Sequence, residues 1–195
     1  MKRLIQSVKT GLCFALAMAF VSFSAAAHAQ DAWSELSRPN TIVLFRHATA
    51  PGIGDPPGFK LSDCLTQRNL DGKGREEARK LGEQFRSRKI NVGAVLTSQW
   101  CRARDTARLA FGDVVKDEPA LNSSFLASDE ISAAQTAQAR AVLASWRGPG
   151  ALAVVSHQVN ITALTGVYPS SAEGVVVRFA ADGSLKVFGT INPAR

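Results

Sequence analysis

The 195-residue sequence predicts an α/β fold with a largely parallel sheet and a terminal hairpin. Three observations lead there. Short apolar runs at Thr41–Phe45, Val92–Thr97 and Ala151–Val155 have the length and β-branched content of buried strands, and each stops at polar residues. Segments of helical periodicity separate them, which is the alternation that builds a parallel sheet. Near the end, Gly174–Ala180 and Ser184–Gly189 alternate in polarity around Ala181-Asp182-Gly183, the pattern of a hairpin and its turn.

The chain opens with basic Lys2, Arg3 and Lys9, an apolar run from Leu12 to Phe23, and then Ala27-His28-Ala29. That order marks a cleavable signal peptide, so residues 1–29 are expected to be removed and 30–195 to form one domain. The apolar run is shorter than the roughly 20 residues of a membrane span, so no stable span is expected after processing. A periplasmic or secreted protein follows. Cleavage takes away three of the 23 lysines and arginines and none of the 16 acids, leaving 20 against 16, or +4 in place of +7. An excess that small and dispersed suits an anionic ligand and argues against nucleic acid as a partner. Cys13 departs as well, so Cys64 and Cys101 remain and are expected to pair in an oxidising compartment. His28 also departs, which leaves His47 and His157 as the only histidines of the processed chain.

Taken in order, Asp31–Asn40 is a polar lead-in with Pro39 before the first strand. Thr41–Phe45 runs straight into Arg46, His47, Ala48 and Thr49. Pro51–Cys64 is too rich in proline and glycine for a helix or central strand, and a loop this long beside a strand end is expected to shape a site. Asp71 caps a helix that carries Ala78, Leu81 and Phe85 on one face and runs to about Arg88. Val92–Thr97 ends at Ser98, and Gln99–Ala110 reads as a helix containing Arg102, Arg104 and Arg108. Phe111–Ser128 is expected to be irregular. Asp129 can cap a further helix to about Trp146, stopped by Gly148-Pro149-Gly150. Ala151–Val155 ends at Ser156-His157, and Gln158–Thr165 is a short helix.

Parallel strands end along one edge of a sheet, so Arg46-His47, Ser98 with Arg102, and Ser156-His157 are expected to converge. Two arginines and two histidines around one point make an anion pocket, because the guanidinium fork matches phosphate oxygens and helix N-termini add partial positive charge. A histidine there can act as a nucleophile toward phosphorus. The sequence offers no metal-ligand cluster and no dinucleotide fingerprint, so no cofactor is expected.

FRHA at Phe45–Ala48, LTSQWCRARDTA at Leu96–Ala107 and VVSHQVNITALTG at Val154–Gly166 resemble motifs of the histidine phosphatase superfamily, and RNLDGKGREEARKLG at Arg68–Gly82 is similar to the family's first helix. The resemblance implies a phosphoglycerate mutase-like three-layer α/β/α sandwich and a phosphatase. It implies His47 as the phosphorylated nucleophile and Arg46 and Arg102 as phosphate ligands. His157 becomes the second histidine, and Thr49 a further candidate offering a hydroxyl. Arg104 and Arg108 do not match and are expected on a solvated face or in surface ion pairs. Many members carry a glutamate soon after a Leu-Asn or Leu-Arg pair to protonate the leaving group. Here Leu121-Asn122 is followed by Ser123, so Asp129 or Glu130 is the expected substitute, Glu130 ahead because Asp129 suits capping; with neither, a water serves and good leaving groups are favoured. The short Phe111–Ser128 segment implies a small lid over an open pocket. The substrate implied is a phosphorylated small molecule or glycan in the cell envelope, with lipopolysaccharide core heptose phosphate as one case. The alternatives are a non-catalytic anion-binding envelope protein and a phosphohistidine protein phosphatase.

Overall fold

A computed structural model describes residues 32–193; the expected signal peptide lies outside the described residues. Among the described residues, six strands form one sheet in the order β3-β2-β4-β1-β5-β6. They are β1 (Ile42–Arg46), β2 (Val92–Thr97), β3 (Val115–Asp117), β4 (Ala151–Ser156), β5 (Gly174–Phe179) and β6 (Leu185–Ile191). β3, β2, β4 and β1 are mutually parallel, whereas β5 and β6 add an antiparallel hairpin at the β1 edge. Among the described residues, four helices of eight residues or more complete the frame: α1 (Gly72–Ser87), α2 (Cys101–Phe111), α3 (Asp129–Ala144) and α4 (Gln158–Thr165).

Strand alternation sorts the side chains into two cores, giving the expected three-layer sandwich. Val43, Phe45, Val95, Ala153 and Val155 face α1 and α2, where they meet Leu81, Phe85, Ala103 and Ala107. Ile42, Leu44, Leu152, Val154 and Val175 face the other way, onto Leu143 of α3, Ile161 of α4, and Leu121. β1 and β4 are therefore covered on both faces, which explains why their sequences are unbroken apolar runs.

Asp71 caps α1 as expected, its Oδ1 accepting from the Gly74 N–H at 2.7 Å. Four expectations change. The polar lead-in is helical over residues 32–35 and buries Ala32 and Leu36 in the core. The supposedly irregular segment contains β3, a three-residue edge strand paired with Val95–Thr97. α2 starts two residues later than its periodicity suggests, because Asn122 Oδ1 and Ser98 Oγ take the N–H groups of Gln99 and Trp100 in a turn of their own. α3 is capped by Ser128, whose Oγ accepts from Ile131 N, so Asp129 is the first helical residue. Among the described residues, no helix is long and apolar enough to cross a membrane.

Candidate active site

The parallel register brings the polar strand tips level. Arg46 pairs with Ser156, and Thr97 pairs with Val155. Backbone bonds continue past the strands, with His47 N–H donating to Ser156 O and Ser98 N–H to Val155 O, both at 3.0 Å. Arg46, His47, Arg102 and His157 consequently share one cavity of about 390 Å³.

The cavity floor holds the two histidines, 4% and 3% exposed, with ring centroids 5.5 Å apart. His47 Nδ1 lies 2.8 Å from the Ala48 carbonyl. A carbonyl only accepts, so Nδ1 carries the proton and Nε2 keeps its lone pair. Burial holds the His47 pKa down to about 3; the Ala48 hydrogen bond works against this, while the charges of Arg102, Arg68 and Arg46 reinforce it. His157 is also held well below the usual imidazole range, by burial first and then by His47 and the same arginines. Both rings are neutral at pH 7. His157 Nε2 sits 2.8 Å from Ser98 Oγ, and Trp100 packs edge-on against its ring. Ser98 is itself held by the Trp100 N–H and by Asn122, so the second strand tip orients the third.

Arg102 lies in the first turn of α2, 3% exposed. Its Nη1 and Nη2 donate to the two oxygens of Asp55 at 2.7 and 3.2 Å. Asp55 also accepts from Trp100 Nε1 at 2.9 Å and from the Arg68 N–H at 3.0 Å. Burial alone would raise the Asp55 pKa; the bonds from Arg102, Arg68 and Trp100 outweigh it and hold the carboxyl below its ordinary value. Asp55 is therefore an anion and a poor proton donor. Arg68 lines the cavity too, with Nε on Gly54 O at 2.8 Å and Nη1 on Ala50 O. Cys64 and Cys101 are bonded to each other, which ties the end of the proline-rich loop to the residue before Arg102.

Asp55 and Arg68 escaped sequence reasoning. The available signal was a charged residue inside a loop too long for a simple connection, and an arginine just before the first helix. Thr49, in contrast, is not part of the cavity lining. Its hydroxyl donates to Glu77 Oε1 at 3.0 Å and its N–H to Glu77 Oε2 at 2.8 Å. Gly74 permits this approach: a Cβ there would sit 2.0 Å from the Thr49 carbonyl oxygen, so α1 can close on the loop and present Glu77. Glu130 is not brought to the cavity either. It and Asp129 are exposed in the first turn of α3, where negative charge complements the helix dipole. Ser123 does line the cavity. Arg46 Nη1 donates to Pro169 O at 3.2 Å, and Arg104 forms the expected surface pair with Asp117.

A family model described as histidine phosphatase superfamily (branch 1) matches residues 42–123. No curated protein sequence matches the chain. Among solved structures, the chain is similar to the protein histidine phosphatase SixA complexed with tungstate, at 18% identity and a TM-score of 0.51, over 78% of this chain and 97% of that one. It is similar to a phosphoserine phosphatase variant from Entamoeba histolytica in complex with phosphoserine, at 14% identity and a TM-score of 0.54, over 80% of this chain and 98% of that one. The product of an open reading frame of Mycobacterium tuberculosis gives 17% identity and a TM-score of 0.56, over 77% and 96%. Likeness at such identities is likeness of fold. The family resemblance and the expectation of a phosphatase are borne out by the family match, and the expected sandwich by the shared fold.

Proposed function

We propose that this chain, a histidine phosphatase superfamily protein by its sequence match and its fold, hydrolyses phosphomonoesters through a phosphohistidine on His47. The observation that carries this reading is the His47 tautomer. With Nδ1–H committed to the Ala48 carbonyl, a neutral Nε2 stands in a cavity shared with Arg46, Arg68 and Arg102.

In the first step Nε2 bonds to phosphorus and the phosphorus–oxygen bond to the leaving group breaks, its electron pair staying on that oxygen. Arginines around the equatorial oxygens stabilise the transferring group, and His157 offers a further nitrogen to it. Water then attacks the phosphohistidine, releasing inorganic phosphate and restoring neutral His47. With Ser123 where the family pattern has a glutamate, and with Asp55 held as an anion, the leaving oxygen takes its proton from water. Esters with good leaving groups are then the faster substrates. The signal-peptide pattern supports action in the periplasm or outside the cell. A phosphorylated envelope glycan, such as lipopolysaccharide core heptose phosphate, is a candidate substrate on that ground.

One observation favours a second reading, an anion-binding protein without turnover: Ser123 is no acid, and Glu130 stands outside the cavity. Incubating the purified protein with a phosphomonoester panel, beside His47→Ala, separates the two. Phosphate release that disappears in the variant supports the enzyme. No release from the whole panel, or release undiminished in the variant, removes the phosphohistidine route.

A further inference from the structure

The cavity changes character from floor to mouth. The floor is cationic and hydrogen-bonding, whereas the mouth carries Ile53, Phe125, Leu126 and Tyr168. These are 90%, 52%, 80% and 71% exposed, and they are four of the seven large apolar residues that stand exposed among the described residues. They come from three separate places in the chain: the loop after β1, the segment before α3, and the stretch after α4. Two of those places meet, since a Cβ on Gly54 would lie 3.9 Å from the ring of Phe125. Leaving one large side chain in water is ordinary, but gathering four around one opening that leads to a phosphate-binding floor is not.

We infer that the substrate is an amphiphilic phosphomonoester, whose leaving group lays an alkyl or aryl surface against Ile53, Phe125, Leu126 and Tyr168 while its phosphoryl group sits at His47. The inference rests on the reading of His47 as phosphoryl acceptor and turns its substrate class away from the glycan phosphate considered above, toward esters with an apolar leaving group. A cavity of about 390 Å³ has the size of a site for a whole organic ligand and leaves room beyond a phosphoryl group. A sugar at the mouth would have to dehydrate its hydroxyls against Ile53, Phe125 and Leu126 with little in exchange, because the neutral polar groups of the lining beyond the histidines and Trp100 are those of Ser123, Gln158 and the Tyr168 hydroxyl. An apolar group there removes its own surface and that of the four rim residues from water together.

The test is a series of n-alkyl phosphates from ethyl to octyl, kept below their micelle concentrations. The leaving alcohols have nearly the same acidity, so chain length varies apolar contact and leaves the chemistry constant. For wild-type protein kcat/KM should rise about two- to fourfold for each methylene that reaches the rim, then level off. In a Phe125→Ser, Leu126→Ser double variant, which alters only exposed or half-exposed side chains, the dependence on chain length should flatten. Glycerol phosphate and sugar phosphates should be slower than butyl phosphate. Release that requires His47 but is indifferent to chain length, or that is fastest with sugar phosphates, overturns the inference and leaves the phosphohistidine reading standing. Release from no ester in the series, or release that survives His47→Ala, overturns both.

Discussion

Replacing Asp55 by alanine probes how the cavity holds its second-motif arginine. The Asp55 carboxylate accepts two bonds from Arg102, one from Trp100 and one from the Arg68 backbone, and the paired side chains are 3% and 7% exposed. Removing one partner of a buried ion pair costs about 3–5 kcal/mol, chiefly because the other charge stays buried. Arg102 keeps the Arg68 carbonyl at 3.3 Å and faces a cavity open to water. The expected loss therefore lies at the lower end, about 3 kcal/mol. Urea unfolding of the wild type and of Asp55→Ala, extrapolated at a shared slope, measures it. Inorganic phosphate supplies the discriminating arm. If Arg102 is a phosphate ligand, an anion can replace the missing carboxylate, and the deficit should shrink as phosphate is added, because a ligand of the native state stabilises it by mass action. A deficit below about 1 kcal/mol, no more than an exposed ion pair is worth, would refute the structural role of the pair. A full deficit that phosphate leaves untouched would refute the placement of Arg102 in the anion site.

Two further outcomes follow from the same geometry. Both histidines are neutral in the native state and take up protons on unfolding below the ordinary imidazole value of about 6.5. Their contribution to stability is thus complete above that pH and is lost as pH falls from there toward the native values. In the absence of phosphate, His47→Gln should therefore show a stability slope between pH 4 and 6 that is shallower by about 1.4 kcal/mol per pH unit, and equal slopes would contradict a neutral His47. The Cys64–Cys101 bond closes a separation of 37 residues. On chain-entropy grounds its reduction should cost about 4 kcal/mol, and it should also lower turnover because the bond tethers the loop to the residue before Arg102. A rate unchanged after verified complete reduction would count against the tether.

The strands and most of the helices were legible because burial on both faces of β1 and β4 leaves a continuous apolar signature, and α1 carries both a cap and a face. β3 was not legible. Of its three residues, Val115 is half-buried while Lys116 and Asp117 are exposed at the sheet edge, and only pairing with β2 makes them a strand. Of the site, the level ends of parallel strands predicted the meeting of Arg46, His47, Arg102 and His157. Asp55 and Arg68 could not be placed that way. They belong to the loop and the pre-helix segment, whose positions depend on the disulfide and on the contacts with Trp100 and Arg102 rather than on any local period. Thr49 and Glu130 were assigned by nearness in sequence to the site. The approach of α1 through Gly74 commits Thr49 to Glu77, and the Ser128 cap leaves Glu130 on the exposed first turn of α3.

The central claim is that His47 Nε2 accepts a phosphoryl group. Rapid mixing with a labelled phosphomonoester, followed by quenching and mapping of the labelled peptide, tests it most directly. Label that is stable in alkali, labile in acid, located at His47 and lost in His47→Ala is the predicted result. Phosphate release at full rate with no label on His47 would contradict it.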